Sequence, residues 1–274
     1  FLQGTFGEHI PEPQIEPSPM HKTLCIVSIP LLSSLCFGQL PTPNPKPAAK
    51  PRAHWILTAG VTGTPSQRRE NPGAASDSKM YVFGGRAGNA TSTVLNALYE
   101  FDGKAWTLKT SEGAVGSPPK RGGAAVAWDF GRNKLVVFGG DGGSSTTLMN
   151  DTWEWDPTTN KWTKLNSTIS PSARRFTAMS WDPITKGMVL FGGLTAAGYD
   201  NETWVLIGGQ WSQRKLTLTP PARSNHSLVT RRDYRDVVMV AGQDNSKSPV
   251  VRHLDVWRWV GAAWIQLPTN KTNP

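Results

Sequence analysis

Cysteine is almost missing. Only Cys25 and Cys36 carry a thiol, and both fall in one apolar stretch near the N-terminus. Loss of that stretch as a leader would leave a chain with neither a disulfide nor thiol chemistry. Tyrosine is scarce, with Tyr81, Tyr99, Tyr199 and Tyr234 the only four. His54, His226 and His253 each stand alone, and no His/Asp/Glu group has metal-ligand spacing, so no metal and no cofactor is expected. Long helical periodicity is absent, as is an apolar run long enough to cross a bilayer. The basic residues form no block or stripe, which argues against nucleic acid as a partner.

What is present suits many short strands joined by turns: 27 Gly, 22 Pro and 12 Trp in 274 residues. The formal net charge of +9 favours acidic partners or surfaces.

The first sixty residues stand apart from the rest. Met20-His21-Lys22 precedes an apolar core from Leu24 to Leu35, and Cys36-Phe37-Gly38 offers small residues before Gln39. Residues 20–38 therefore have the form of a signal peptide, which places the protein outside the cytoplasm: secreted, periplasmic or on the cell surface. Residues 1–19 are expected to be a disordered or non-native extension. Residues 39–54 hold five prolines between Gln39 and Pro51 and form an extended linker.

From residue 55 onward one phrase returns roughly every fifty residues, a period that signals repeat architecture. It is Val82-Phe83-Gly84-Gly85, then Val137-Phe138-Gly139-Gly140, then Leu190-Phe191-Gly192-Gly193, and more loosely Val240-Ala241-Gly242. Around it lie three further landmarks. Pro-x-x-Arg ends in Arg68, Arg121, Arg174 and Arg223. A strand of small residues follows, as in Gly123-Ala124-Ala125-Val126-Ala127, which suits an innermost position where strands converge on an axis. After the glycines comes an aromatic strand, such as Trp153-Glu154-Trp155, whose period of two puts its rings on one face. The next strand opens on Trp106, Trp162, Trp211 or Trp264, a ring large enough to fill the gap between sheets.

Four antiparallel strands per fifty residues make the blades of a β-propeller. The double glycine, the aromatic third strand and the tryptophan opening the fourth resemble the kelch-repeat family, of the galactose-oxidase-central-domain kind found in secreted bacterial proteins. The resemblance covers about residues 55–274. It implies an all-β fold with blades at about 65–110, 118–166, 171–216 and 220–267. Trp55-Ile56-Leu57 reads as an orphan closing strand, and the whole as part of a ring of five to seven blades. Ala241 replaces the first glycine of the fourth phrase. Alanine is held there if its φ is negative, so a different local turn is expected.

A copper radical oxidase of the galactose-oxidase type needs a cross-linked Tyr–Cys pair, and the chain beyond the leader has no Cys. The Ser-x-Asp-x-Gly-x-x-Trp box of sialidases is missing too. A sugar epimerase or mutarotase would need an acid beside an arginine, and Glu70 is the acid nearest the arginine series. No catalytic residue is assigned. The expectation is a monomeric, non-enzymatic scaffold that binds protein or carbohydrate. Two roles are open to Arg68, Arg121, Arg174 and Arg223. They present guanidinium forks to an acidic ligand, or they tie blades together through backbone carbonyls and acids. Six sequons, at Asn89, Asn150, Asn166, Asn201, Asn225 and Asn270, are candidate glycosylation sites.

Overall fold

The computed structural model describes residues 62–66, 68–70, 72–88 and 93–268. The leader, the linker, the strand expected at Trp55 and the sequons at Asn89 and Asn270 lie outside the described residues. Every regular element among those described is a strand.

The strands form four antiparallel sheets in chain order. Blade 1 pairs Arg68–Arg69 and Gly73–Ala75 with Met80–Ala87, then adds Val94–Phe101 and Trp106–Thr110. Blade 2 runs Ala125–Asp129, Lys134–Phe138, Thr152–Asp156 and Lys161–Leu165. Blade 3 pairs Arg174–Arg175 and Ala178–Asp182 with Gly187–Thr195, then Gly198–Ile207 and Gln210–Arg214. Blade 4 runs Ser227–Arg231, Asp236–Val240, Val256–Trp259 and Trp264–Leu267, and carries an extra hairpin of Gln243–Asp244 with Val251–Arg252. The four innermost strands line one axial cavity of about 410 Å³. The small side chains of Ala74, Ala127 and Ser180 permit that convergence.

Three apolar clusters fill the gaps between successive blades. Tyr81, Phe83 and Leu98 of blade 1 meet Trp128, Val137 and Trp155 of blade 2. Val136 and Phe138 meet Met188, Leu190 and Trp211. Val189 and Phe191 meet Met239, Trp257, Trp259 and Trp264. Each large side chain buried here contributes about 1.5–3 kcal/mol. The tryptophan opening the fourth strand also makes a polar stitch to the preceding blade. Trp162 Nε1 donates to Thr110 Oγ1 at 3.0 Å, Trp211 to Thr152 at 2.8 Å, and Trp264 to Thr203 at 2.9 Å.

The double glycines make a second stitch. Gly85, Gly140 and Gly193 donate their amides to the carbonyls of Arg121, Arg174 and Arg223 in the following blade, at 3.0, 2.8 and 2.9 Å. The glycine before each has a φ of +63°, +65° or +61°. A Cβ on Gly84, Gly139 or Gly192 would come within 2.9, 2.6 or 2.7 Å of the same arginine carbonyls. Glycine is therefore needed twice over, for its backbone and for its missing side chain.

Ala241 corrects the sequence expectation. Its φ is +62°, so it keeps the glycine turn rather than leaving it. No described blade follows blade 4, and Ala241 is exposed, so its methyl group has space that Gly192 lacks.

The two outer flanks of the array are uncovered among the described residues. Met80 of blade 1 is 52% exposed, whereas Leu135, Met188 and Val237 at the same register are fully buried. Val229 of blade 4 is 54% exposed against 7% for its counterparts Ala127 and Ser180.

Candidate functional site

The four Pro-x-x-Arg arginines point into the blades. Arg121, Arg174 and Arg223 have no solvent exposure, and Arg68 is half-buried. In each, one terminal nitrogen donates to the carbonyl of the first residue of the glycine pair: Gly84, Gly139, Gly192 or Ala241, at 2.9–3.0 Å. Each Nε donates to the carbonyl of the residue after the proline: Ser66, Pro119, Ser172 or Pro221. That contact accounts for the spacing of the motif.

An acid two residues before the third-strand aromatic completes the brace. Arg121 grips Asp151 at 2.6 and 2.8 Å, and Arg223 grips Asp255 at the same two distances. Arg174 reaches Glu202 at 2.7 Å. The same carboxylates accept the indole N–H of Trp153, Trp204 and Trp257. Burial alone would raise the Asp151 and Asp255 carboxyls, but the arginine and the indole together hold both below the usual range. Blade 1 has Ala97 where the acid belongs, and Arg68 instead lies 5.0 Å over the ring of Tyr99. Because the backbone carbonyls of Arg121, Arg174 and Arg223 serve the previous blade while their side chains grip their own, these three fasten neighbours together. No buried guanidinium of the three is presented to a ligand.

The two faces of the array differ. On one, strands join through short turns: residues 130–133, 183–186 and 232–235, each closed by a left-handed residue at Asn133, Lys186 or Arg235. On the other, where the glycine pairs and arginines gather, connections are long and unequal. From the glycine pair through the third-strand acid run residues 139–151 in blade 2, 192–202 in blade 3, where the two strands run on as a paired hairpin, and 241–255 in blade 4, where a separate hairpin of Gln243–Asp244 with Val251–Arg252 is inserted. Variable connections on a rigid scaffold are where binding residues concentrate.

This second face holds a charged cluster at the mouth of the axis. Arg86 of blade 1 donates from Nε to Glu70 at 2.5 Å, and from one terminal nitrogen to both oxygens of Asp141 in blade 2, at 2.6 and 2.8 Å. Arg175 of blade 3 reaches Asp141 at 3.2 Å. Around the mouth, Glu70, Gly123, Phe176 and Asn225 occupy one equivalent position and all have left-handed backbone. Their reward is a chain of amide bonds: Gly123 donates to Glu70, Phe176 to Gly123 and Asn225 to Phe176, at 3.3, 2.8 and 3.0 Å. These residues, with Pro72, Ala124, Thr177 and His226, line a recess of about 300 Å³.

The family profile for the KLHDC2/KLHL20/DRC7 Kelch-repeats domain matches residues 51–181 and again 133–274. The chain belongs to the kelch-repeat family. It is 28% identical over 150 residues to human multiple epidermal growth factor-like domains protein 8, which is 51% of this chain and 5% of that protein. It is 28% identical over 196 residues to acyl-CoA-binding domain-containing protein 4 of Arabidopsis thaliana, or 64% of this chain and 27% of the relative. The rat form of the first protein is 33% identical over 147 residues. The matched stretch is thus a small part of each relative.

Within this kelch array the sequence series and the structure part company at the site. The acids Asp151, Glu202 and Asp255 were legible only as Asp-x-Trp or Glu-x-Trp, Arg175 only as the second arginine of a pair shared with Arg68-Arg69, and Arg86 and Asp141 carried no repeat signal. Glu70 neighbours Arg68 and Arg69 in sequence, yet its short ion pair is with Arg86. Burial, with the charge of Arg223 adding to it, pushes the His226 imidazole down to about 3. His226 packs edge-on against Phe191, 5.5 Å away, between blades 3 and 4. Among the described residues no group of three metal-ligating side chains gathers.

Proposed function

We propose that this kelch array is an exported, non-enzymatic scaffold that binds a protein partner on the face of long connections. One observation carries the reading: the opposite face is built from short, near-identical turns, while on this one blades 2, 3 and 4 each spend 11 to 15 residues from the glycine pair through the third-strand acid (139–151, 192–202 and 241–255) and shape them differently. Membership of a family whose propellers generally bind proteins supports it. The reading of export rests on residues 20–38 alone. The alternative of a sugar-active enzyme would rest on the acid–arginine pair of Glu70 and Arg86 at the axial mouth.

The test is selection from a peptide-display library on the purified chain. Binders whose capture is lost when residues 142–147 and 244–250 are replaced by Gly-Ser of equal length support the reading. Binders that are indifferent to both replacements, or turnover of a sugar by the purified chain, would overturn it.

A further inference from the structure

Arg214 closes the fourth strand of blade 3 opposite Thr203, whose hydroxyl receives the indole N–H of Trp264. The same register place holds Thr110 in blade 1 and Leu165 in blade 2. A guanidinium has thus replaced a residue that bonds or packs between blades. Its Nε is buried with no hydrogen-bond partner. Among the described residues no carboxylate pairs with Arg214 or with Lys215 beside it. Glu202, which accepts from the adjacent Gln213, is spent on Arg174 and Trp204. A buried donor left unmet is costly, and a charged one more so.

Arg214 lines a recess of about 430 Å³ on the outer edge between blades 3 and 4. Gln213, Arg214, Lys215 and Leu216 form one wall, and the turn at Gly261 and Ala262 forms the other. The matching edge between blades 2 and 3 is clamped shut. There Ser167 Oγ accepts the amide of Trp211 at 2.8 Å. Gln210 accepts the amide of Thr168 at 3.1 Å and donates to the carbonyl of Asn166 at 3.2 Å. Leu216 and Ala263 stand in the places of Ser167 and Gln210 between blades 3 and 4, so the clamp cannot form. Its loss opens the recess, and two cations without acids line it. A carboxylate would be saturated by the fork of Arg214 alone. A tetrahedral monoester carries three acceptor oxygens and serves both cations. Leu216 packs against the core of blades 3 and 4, so the wall left to a ligand is polar and suits a hydroxylated carrier.

We propose that this recess binds the sulfate or phosphate monoester of a sugar, gripped by Arg214 and Lys215. The site lies on the outer edge rather than at the axial mouth, and it stands independently of the protein-binding reading above. Methyl glucoside sulfated or phosphorylated on its primary hydroxyl separates the two sources of the group. Methyl glucuronoside puts a carboxylate at the same carbon, and the plain glucoside carries no charge. N-acetylphosphoserine amide carries the phosphate on a peptide instead of a sugar.

The experiment follows the Arg214 Nε–H resonance of the isotope-labelled chain, at constant ionic strength, while each probe is added to tens of millimolar. The expected result is a saturable shift with one or both sugar esters, a weaker one with the glucuronoside and none with the plain glucoside. Arg214→Leu gives the site the residue that blade 2 has at Leu165. It should weaken ester binding by about tenfold or more, read from the amide resonances of Leu216, Gly261 and Ala262. Without ligand it should melt at or above the parent, because an unpaired charge has gone. Lys215→Ala, at an exposed position, should weaken ester binding and leave melting unchanged. The absence of any saturable shift would overturn the proposal, as would tighter binding of the glucuronoside or of phosphoserine amide than of either sugar ester. An ester response unchanged in both variants would also overturn it and leave Arg214 a packing residue.

Discussion

Trp211 of blade 3 donates its indole N–H to the hydroxyl of Thr152 in blade 2, 2.8 Å away and wholly inside the interface. The two residues are far apart in sequence, and the bond recurs at Trp162–Thr110 and Trp264–Thr203. Removing one partner leaves the other buried and unmet, which costs about 1–3 kcal/mol. Trp211→Phe and Thr152→Val should each destabilise by that order in urea unfolding. The double variant should cost less than the two together, with a coupling of about 1 kcal/mol. Full additivity would deny the stitch.

The arginines should behave as braces. Breaking a buried ion pair from one side costs about 3–5 kcal/mol, so Arg121→Met and Arg223→Met should be severely destabilised. Arg68→Met should lose far less, because blade 1 has no acid at the corresponding place and Arg68 is only half-buried. Equal losses at all four positions would contradict the assignment.

Ala241 and Gly192 offer a matched pair. Both have φ near +61°. A left-handed alanine costs about 1–2 kcal/mol relative to a relaxed one, so Ala241→Gly should stabilise by about 1 kcal/mol. Gly192→Ala should destabilise by more than that strain, since its methyl would also strike the Arg223 carbonyl at 2.7 Å. Thermal melts of the two variants measure this directly.

Acid should loosen the joint between blades 3 and 4. His226 is held neutral in the fold down to about pH 3, whereas an unfolded histidine takes up its proton near 6.5. Between those values the unfolded state binds the extra proton, so stability falls as pH falls, by up to about 1.4 kcal/mol per unit. The carboxyls of Asp151 and Asp255 add their loss only below about 4, as they protonate. Thr177 fills the His226 position in blade 3. His226→Thr should therefore fold and flatten the decline between pH 6.5 and 4, in melting curves taken across that range.

The repeat made the architecture legible. Phe83-Gly84-Gly85 and its echoes end the second strand in blades 2 and 4 and shift its register in blades 1 and 3, and Trp162, Trp211 and Trp264 fill the gaps between sheets as their size requires. The site was less legible because its contacts join residues that no local pattern links. Asn150-Asp151-Thr152 and Asn201-Glu202-Thr203 read as sequons, yet the acid in each holds an arginine and the threonine holds the next blade's tryptophan. Arg86, Asp141 and Arg175 come from three blades and meet only when those blades pack. Ala241 misled because, among the described residues, no carbonyl of a following blade opposes its methyl group, a fact of neighbours rather than of sequence.

Hydrogen–deuterium exchange of the chain with a display-selected ligand tests the central claim most directly. The account predicts slowed exchange in residues 141–149, 194–198 and 243–254, and none in the turns at 130–133, 183–186 and 232–235. Protection confined to those turns, or to the uncovered flanks of blades 1 and 4, would contradict it.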